Sequence, residues 1–430
     1  MSDIRFEGWL HRSGTGGVYQ DSAGNVGIAS TQPQTRLDIG NGGFQVGPTG
    51  IATVTTVNTT NLINATQLSH RNLIINGAMQ VAQRATSYTG TDNYNTVDRI
   101  LTSVGGLDEN CTFAQVDVSS GTAPYTSGFR KAFKITNGNQ SSGAGSGDYV
   151  QIQSRLEAQN VATSGWNYTS SSSYITLQFW VKSSVAQNFY CYLRTKDGTG
   201  QGYVFETGSL TADTWTKIEK TIPGNSNITI NNDNGEGLQI NISPFWGTDF
   251  TSSSASLNTW GTFSGSARTP DHTSTWYTTN DATFEITGLQ LEVGSVATPF
   301  EHRSYADELA LCQRYFYMHA NGSVDGNGSG GSAISDNASA YNSDTVFFTV
   351  DFPVTMRSKP SLAASNGSGH YGYYTPGSAL TGFDTLNLDG VTTRTVGNIN
   401  FSVSSAFSGG QSILVRTKTS DATLAFNAEL

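Results

Sequence analysis

Along most of this chain the apolar residues fall in short runs that alternate with polar positions and end in turn formers. Such runs occur at Phe129 to Ile135, Tyr149 to Ile152, Tyr174 to Val181, Phe189 to Leu193, Trp215 to Ile222, Leu238 to Ile242 and Phe284 to Val293. Their Val, Ile, Tyr, Phe and Thr content and their Gly, Ser and Asn boundaries predict strands. In Tyr174 to Val181 the apolar residues occupy both parities toward the end, as in a strand flanked by others and covered on both faces. Lys217 to Ile222 alternates more cleanly, as a half-solvated strand does. Strands at this spacing, with no helical period between them, predict a two-sheet sandwich or jelly-roll β-sandwich over residues 71–303.

One helix interrupts the pattern. Ser304 with Asp307 three residues later forms a capping box, and Tyr305, Leu309, Cys312 and Phe316 follow at helical spacing until Asn321-Gly322. A connecting helix is therefore expected over 304–320. Gly, Ser, Asn and Asp dominate from Gly322 to Ser343, as in a linker or long surface loops. Thr345 to Val350, Ile399 to Val403, Ser412 to Val415 and Thr423 to Phe426 then predict a second, smaller β-sandwich domain within 321–430. Upstream, residues 1–50 hold very short apolar stretches between Gly-rich turns, such as Val26-Gly27-Ile28 and Leu37-Asp38-Ile39. They bury little alone and gain stability if copies of the chain pack about an axis. Residues 51–70 carry sparse apolar positions at Ile51, Val54, Val57, Leu62, Ala65 and Leu68, compatible with an extended or triple-stranded stalk and equally with a coiled coil. The fold class is all-β with a fibrous N-terminal region.

Composition narrows the partners. Only 13% of the residues are charged and 48 of 430 are glycine, too uncharged for ordinary disorder and too poor in Ala, Glu, Lys and Leu for a helical protein. Lys plus Arg number 23 against 33 Asp plus Glu, a formal charge of −10, which argues against a nucleic-acid partner because gripping phosphates needs clustered cations. Neutral polar partners, sugars above all, fit better, since an aromatic content of 11% supplies faces on which sugar rings stack. Cys111, Cys191 and Cys312 are odd in number and far apart, which indicates neither a disulfide framework nor a zinc site. Met1 to Glu7 carries charges where a signal peptide needs an apolar core, and no apolar run approaches the ~20 residues of a membrane span. Synthesis in a reducing cytoplasm without membrane insertion is expected.

Asn72-Leu73-Ile74-Ile75-Asn76-Gly77-Ala78-Met79-Gln80, with Gln83-Arg84 and Thr96-Val97-Asp98-Arg99 after it, resembles the opening of a module common in tail-fibre and virion appendage proteins of tailed phages. The likeness returns at Gly288 to Gly294, Ala297 to Arg303, Glu308-Leu309, Cys312 to Tyr315 and the closing Phe426-Asn427-Ala428-Glu429-Leu430. Glu7-Gly8-Trp9-Leu10 and Gly24 to Ile28 are similar to fibre segments of marine phages and cyanophages. The resemblance implies a homotrimeric fibre in the virion, anchored to other virion proteins through its N-terminal part and touching host-surface polysaccharide with its distal domains. The opening also resembles jelly-roll carbohydrate-binding modules, which often hold a structural calcium near their first and last strands. The corresponding places here read Met79-Gln80 and Thr287-Gly288, and both expected carboxylates are missing.

Candidate chemistry is sparse. The run Asn231 to Glu236 reads as a polar turn before it reads as a calcium loop, so no metal and no cofactor are expected. Asp98, Glu157, Glu206, Glu285 and Glu292 form no paired-carboxylate motif, and no nucleophile elbow or phosphate loop is present, so the chain is expected not to be an enzyme. Two aromatic groups are candidates for glycan contact. Phe245-Trp246, Trp260, Phe263 and Trp276-Tyr277 lie in an uncharged, loop-like setting, where they either present flat faces at a rim or fill the sandwich core or a contact between subunits. His370, Tyr371, Tyr373 and Tyr374 stand in a Gly-rich stretch that resembles a recognition loop, with trimer packing as the equal rival.

Overall fold

The chain divides at Thr66/Gln67 into two units, and a computed structural model describes residues 70–322 and 331–430 together with residues 22–23 and six short strands nearer the N-terminus. Those strands are β1 (Gly8–Leu10), β2 (Gly17–Gln20), β3 (Val26–Ile28), β4 (Leu37–Ile39), β5 (Phe44–Val46) and β6 (Ala52–Val54). They form one sheet in chain order, antiparallel throughout except for the parallel pair β3–β4. Each is only three or four residues long, and Val18 and Ile28 stay exposed. The expected stalk over 51–70, apart from β6 and His70, lies outside the described residues.

The second unit begins with a sandwich. Its strands are β7 (Ser87–Thr89), β8 (Leu101–Gly105), β9 (Thr112–Asp117), β10 (Lys131–Thr136), β11 (Tyr149–Glu157), β12 (Tyr174–Ser183), β13 (Asn188–Thr195), β14 (Gln201–Ser209), β15 (Thr216–Pro223), β16 (Glu236–Trp246), β17 (Trp260–Thr262) and β18 (Thr283–Val293). A front sheet runs β15-β12-β18-β10-β9-β7 and a back sheet β17-β14-β13-β16-β11-β8, every pair antiparallel, in a jelly-roll-like arrangement. Alternate residues of both sheets, among them Phe113, Phe133, Leu177, Phe179, Ile286, Ile152, Leu193, Phe205 and Ile240, fill one dry core between them. Strand β12 is buried on both faces because the segment after β18 crosses it. Thr176 Oγ1 donates to Gly294 O at 2.8 Å and Gln178 Nε2 to Thr298 O at 2.6 Å.

The run Leu73-Ile74-Ile75 forms no regular strand. Two backbone bonds hold it to β18, Leu73 N to Leu291 O and Leu289 N to Gly77 O, both 2.9 Å. Between them the side chain of Asn72 completes the pairing, accepting from Leu291 N at 3.0 Å and donating to Leu289 O at 3.1 Å. Gly77 is required here, since a Cβ would lie 2.0 Å from Leu289 O. Asn76, held at φ +60°, donates to Val81 O and Asp98 O while its backbone N–H reaches Glu308 Oε1 at 2.5 Å.

The helix is shorter than expected, Tyr305–Gln313, with Ser304 Oγ accepting from Asp307 N at 3.2 Å as the capping box requires. Its buried face carries Glu308 and Cys312, while Tyr305 is exposed. The carboxylate of Glu308 is buried because Asn76 N and Arg303 surround it, an outcome that apolar spacing does not register. Chain direction then changes into the second sandwich, with β19 (Phe316–Asn321), β20 (Ala333–Ala340), β21 (Thr345–Asp351), β22 (Ser361–Ala364), β23 (Tyr371–Tyr374), β24 (Thr381–Phe383), β25 (Asn387–Leu388), β26 (Val396–Ser402), β27 (Ser412–Thr417) and β28 (Thr423–Asn427). A three-stranded sheet β19-β28-β22 faces a seven-stranded sheet β24-β23-β27-β20-β21-β26-β25. The stretch expected as linker holds β20, whose Ile334, Ala338 and Ala340 are buried among Ser and Asn residues; residues 323–330 lie outside the described residues.

A polar knot joins the two sandwiches. Arg99, in the left-handed region at φ +67° and buried, pairs with Glu429 and lies with its guanidinium carbon 3.6 Å from the centre of the Tyr315 ring. Burial works against the Arg99 charge, and the Glu429 carboxylate acting together with Tyr94, Tyr315 and Cys312 more than restores it. Arg84 reaches Glu429 at 3.2 Å and covers Phe316. Arg314 grips Glu157 through two bonds of 2.7 and 2.8 Å, and Tyr315 donates to the same carboxylate at 2.6 Å. Arg357 donates to Ala428 O, Glu429 O and, across the junction, Asn234 O at 2.8 Å. Breaking a buried pair by neutralising one partner is costly. Glu429→Gln is therefore expected to lower the unfolding free energy by about 3–5 kcal/mol, whereas replacing both partners with Arg99→Met and Glu429→Leu costs less than the sum of the single changes. Denaturant titrations of Glu429→Gln, the two single changes and the double variant measure this, and a Glu429→Gln protein as stable as the parent removes the pair from its supporting role.

Candidate functional site

The outer face of the back sheet is the most distinctive surface of the central sandwich. Strands β11, β16 and β13 lie side by side there, and each alternates apolar residues toward the core with polar or aromatic residues outward. Cross-strand pairing sets the outward residues in rows, Gln153 beside Asn241 beside Tyr192, then Arg155 beside Gln239 beside Arg194. On the next strand Ser103 sits opposite Gln151. These residues, Asn241 excepted, line a groove of about 310 Å³ together with Tyr149, Trp246, Phe250, Lys196 and Arg268.

Glutamine and asparagine are buried here, so their amides must find partners. Arg155 donates to Gln153 Oε1 at 2.9 and 3.1 Å, Gln153 Nε2 to Gln151 Oε1 at 3.0 Å, and Gln151 Nε2 to Asn241 Oδ1 at 2.7 Å and Tyr192 Oη at 2.8 Å. The floor is a directional chain of donors and acceptors fixed before any ligand arrives. Burial raises the Tyr192 phenol above its ordinary range, so it stays protonated.

Aromatic rings form one wall. Tyr149 stacks on Trp246 with centroids 4.7 Å apart, and Phe250 meets both edge-on at 5.4 and 4.8 Å. Gly105, opposite Tyr149 on β8, leaves room for that ring, since a Cβ would lie 2.5 Å from it. Arg268 lies over Trp246 at 4.2 Å and over Phe250 at 4.7 Å, and Arg194 lies over Phe263 at 3.8 Å. Glu236 serves Arg155 at 3.4 Å and Lys196 at 3.6 Å. Burial lowers the Arg194 pKa from its usual value, and the neighbouring Arg268 and Arg155 charges act in the same direction.

Most aromatic residues singled out in the sequence lie elsewhere. Trp276 and Tyr277 are core residues on a helical turn. Trp276 Nε1 donates to Thr283 O at 3.0 Å, and Tyr277 stacks on Phe245 at 4.4 Å. Trp260 starts β17 and donates to Pro223 O at 2.7 Å. Tyr371 and Tyr373 share one face of β23, a strand flanked by β24 and β27, and pack against Phe383 rather than standing in a surface loop. Burial of their rings follows from the i, i+2 spacing that Gly372 creates. His370 and Tyr374 are half-buried, the former beside Ser365 Oγ and the latter under Arg416. Only Trp246 of the eight lines the groove, and even its ring is covered by Arg268 and Tyr149.

The carboxylates considered for catalysis are dispersed and engaged. Glu157 is held by Arg314, Glu285 by Lys182 at 3.1 Å, Glu292 by Thr298, and Glu206 by Asn188 at 2.8 Å, while Asp98 accepts from Gln83. In Asn231 to Glu236, Asp233 closes an Asx turn on Gly235 N at 2.9 Å and Asn234 clasps Arg357 O at 2.6 Å. The residues at the possible calcium position do not fit the ion. Gln115 Nε2 donates to Met79 O at 2.7 Å and Gln80 O at 3.0 Å, and Thr287 Oγ1 donates to Lys131 O at 2.7 Å, so an uncharged amide takes the carbonyls that a cation needs. Among the described residues no three His, Cys, Asp or Glu side chains are placed to hold a metal, and the three cysteines are buried and free.

No family model and no curated protein matches the chain. Solved structures similar to it include the enzymatically active domain of tailspike protein 4 of bacteriophage CBA120, at 10% identity over 52% of this chain and 21% of that one, with TM-score 0.26. The likeness thus spans about a fifth of the tailspike chain. The CBM22-1 xylan-binding domain of Paenibacillus barcinonensis Xyn10C is similar at 10% identity over 49% and 94%, with TM-score 0.24. A family 11 carbohydrate-binding module of Clostridium thermocellum, in complex with a mixed-linked tetrasaccharide, is similar at 13% identity over 49% and 98%, with TM-score 0.23.

His272 packs against Tyr190 at 5.0 Å and accepts or donates at Thr269 Oγ1. Burial drives its pKa from 6.5 down to about 3. The folded protein refuses a proton that the unfolded chain accepts below 6.5, so this residue's contribution is complete above that value and is lost as pH falls toward 3. His272→Gln is expected to flatten the acid limb of the stability profile by up to about 1.4 kcal/mol per pH unit, measured as the difference between the two proteins' unfolding curves from pH 3 to 7.

Proposed function

We propose that this protein is a non-catalytic appendage of a tailed-phage virion that binds host-surface glycans through the outer face of the back sheet. The observation that carries the reading is the groove floor, where Gln151, Gln153 and Asn241 are buried in a fixed bonded array beside half-buried aromatic rings. Saccharide hydroxyls each donate and accept, and an amide array offers both functions at defined positions, while Tyr149 and Phe250 supply the flat apolar faces. The virion assignment is supported by the sequence likeness, whose separated motifs converge on one junction: Arg84 and Arg99 of the opening meet Glu429 of the closing motif and the helix-flanking Arg314-Tyr315.

Homotrimer formation follows from the same likeness and is supported by the N-terminal sheet, whose three- and four-residue strands leave Val18 and Ile28 exposed for a neighbouring copy. That region attaches to other virion proteins, and the particle is assembled in the host cytoplasm and acts outside the cell. Weak contacts at each groove are multiplied across the copies.

Affinity electrophoresis or a glycan array with the full chain tests the proposal. Tyr149→Ala and Gln153→Ala are each expected to weaken retention about tenfold, the scale of one or two lost contacts, whereas Tyr374→Ala leaves it unchanged. Retention lost with Tyr374→Ala alone moves the site to the terminal sandwich. A fall in viscosity of host polysaccharide on incubation identifies an enzyme instead.

A further inference from the structure

The partner expected from the overall charge is neutral, but the groove has a charge of its own. The chain has 23 cationic side chains against 33 acidic ones, yet Arg155, Arg194, Lys196 and Arg268 all line this single depression and no Asp or Glu does. Glu236 at the margin answers two of them, Arg155 and Lys196. Arg194 and Arg268 have no carboxylate partner among the described residues. Each is spread over an aromatic face, and Arg194 Nε is buried without a hydrogen-bond acceptor. Keeping guanidinium groups in one depression and partly out of water is unfavourable unless an anion arrives to share them. Their planar, multidentate donors suit the flat carboxylate or the sulfate of a modified sugar better than they suit a neutral hydroxyl.

We propose that the groove takes an acidic polysaccharide, with a uronate carboxylate or sugar sulfate seated between Arg194 and Arg268 and the sugar ring against Tyr149 and Phe250. This rests on the glycan-binding reading above and specifies its ligand class. A nucleic acid is the poorer candidate, because four cations in one depression of about 310 Å³ do not track a phosphate backbone and the remaining surface is acidic overall.

The test compares polygalacturonate with its fully methyl-esterified form, alginate, a sulfated galactan, neutral mixed-linked β-glucan and single-stranded DNA, using the full chain in affinity electrophoresis at low and moderate salt. Retention by at least one of the acidic glycans is expected, at least about tenfold tighter than by β-glucan or by the esterified polymer, and weakening with salt. Arg194→Gln and Arg268→Gln are each expected to remove most of that difference while circular dichroism and melting stay close to the parent, and Arg268→Lys recovers part of it. Equal retention of neutral and acidic glycans overturns the charge assignment and leaves glycan binding standing. Retention of no glycan overturns both readings, and DNA retained as strongly as the acidic glycans overturns the ligand class.

Discussion

The second unit depends on a buried charge meeting its partner across a domain boundary. Arg99 has no water to solvate it, and its compensation comes from Glu429, which is 330 residues away in sequence. Neither sandwich offers that compensation alone. The same holds on the other side of the junction, where Glu157 at the end of β11 is buried and is satisfied by Arg314 and Tyr315 from beyond the helix. Burial raises the carboxyl of Glu157, and its bonds to Arg314 and Tyr315 more than reverse that, so it remains ionised. Ion pairs of this kind contribute modestly to net stability compared with an apolar contact, but they tolerate few alternative arrangements. They are well suited to fixing one domain against another.

This junction also gives physical meaning to the motifs seen in the sequence. Asn72, Asn76, Gly77, Asp98, Arg99, Glu308, Arg314 and Glu429 occur in separate stretches of the sequence, yet each serves a bond or a close approach at the boundary, at the seam with β18 or in the turn that joins them. None of them contacts the groove. They are scaffold residues, and the resemblance they carry concerns how the modules are joined more than what they bind.

Much of the architecture was legible because it rests on alternation. All seven runs predicted in the central region are strands or overlap one, and the capping box at Ser304 and Asp307 starts the helix. Strand β20, built mostly from Ala, Ser, Asn and Asp, escaped because its burial comes from neighbours rather than from its own bulk. The groove was harder to find. Its residues lie in Gln151-Ile152-Gln153, Tyr190-Cys191-Tyr192 and Gln239-Ile240-Asn241, where an amide or phenol alternates with a core residue. That signal is visible in each strand alone, but it points to a site only once the order β13-β16-β11 is known. Large aromatic residues drew attention instead, and in Trp276, Tyr277, Tyr371 and Tyr373 the cost of leaving an apolar ring in water won over any role at a rim.

Arg155 belongs to two neighbourhoods at once. Its guanidinium lines the groove and binds Gln153, and one of its nitrogens donates to Leu430 O at 2.6 Å, beside the Glu429 that compensates Arg99. Any molecule that recruits this guanidinium acts on the junction between the sandwiches as well, and thermodynamic reciprocity requires that a change at the junction be felt as a change in grip. On the proposed reading, a pull on the terminal sandwich reaches a polymer held in the groove by a route one side chain long.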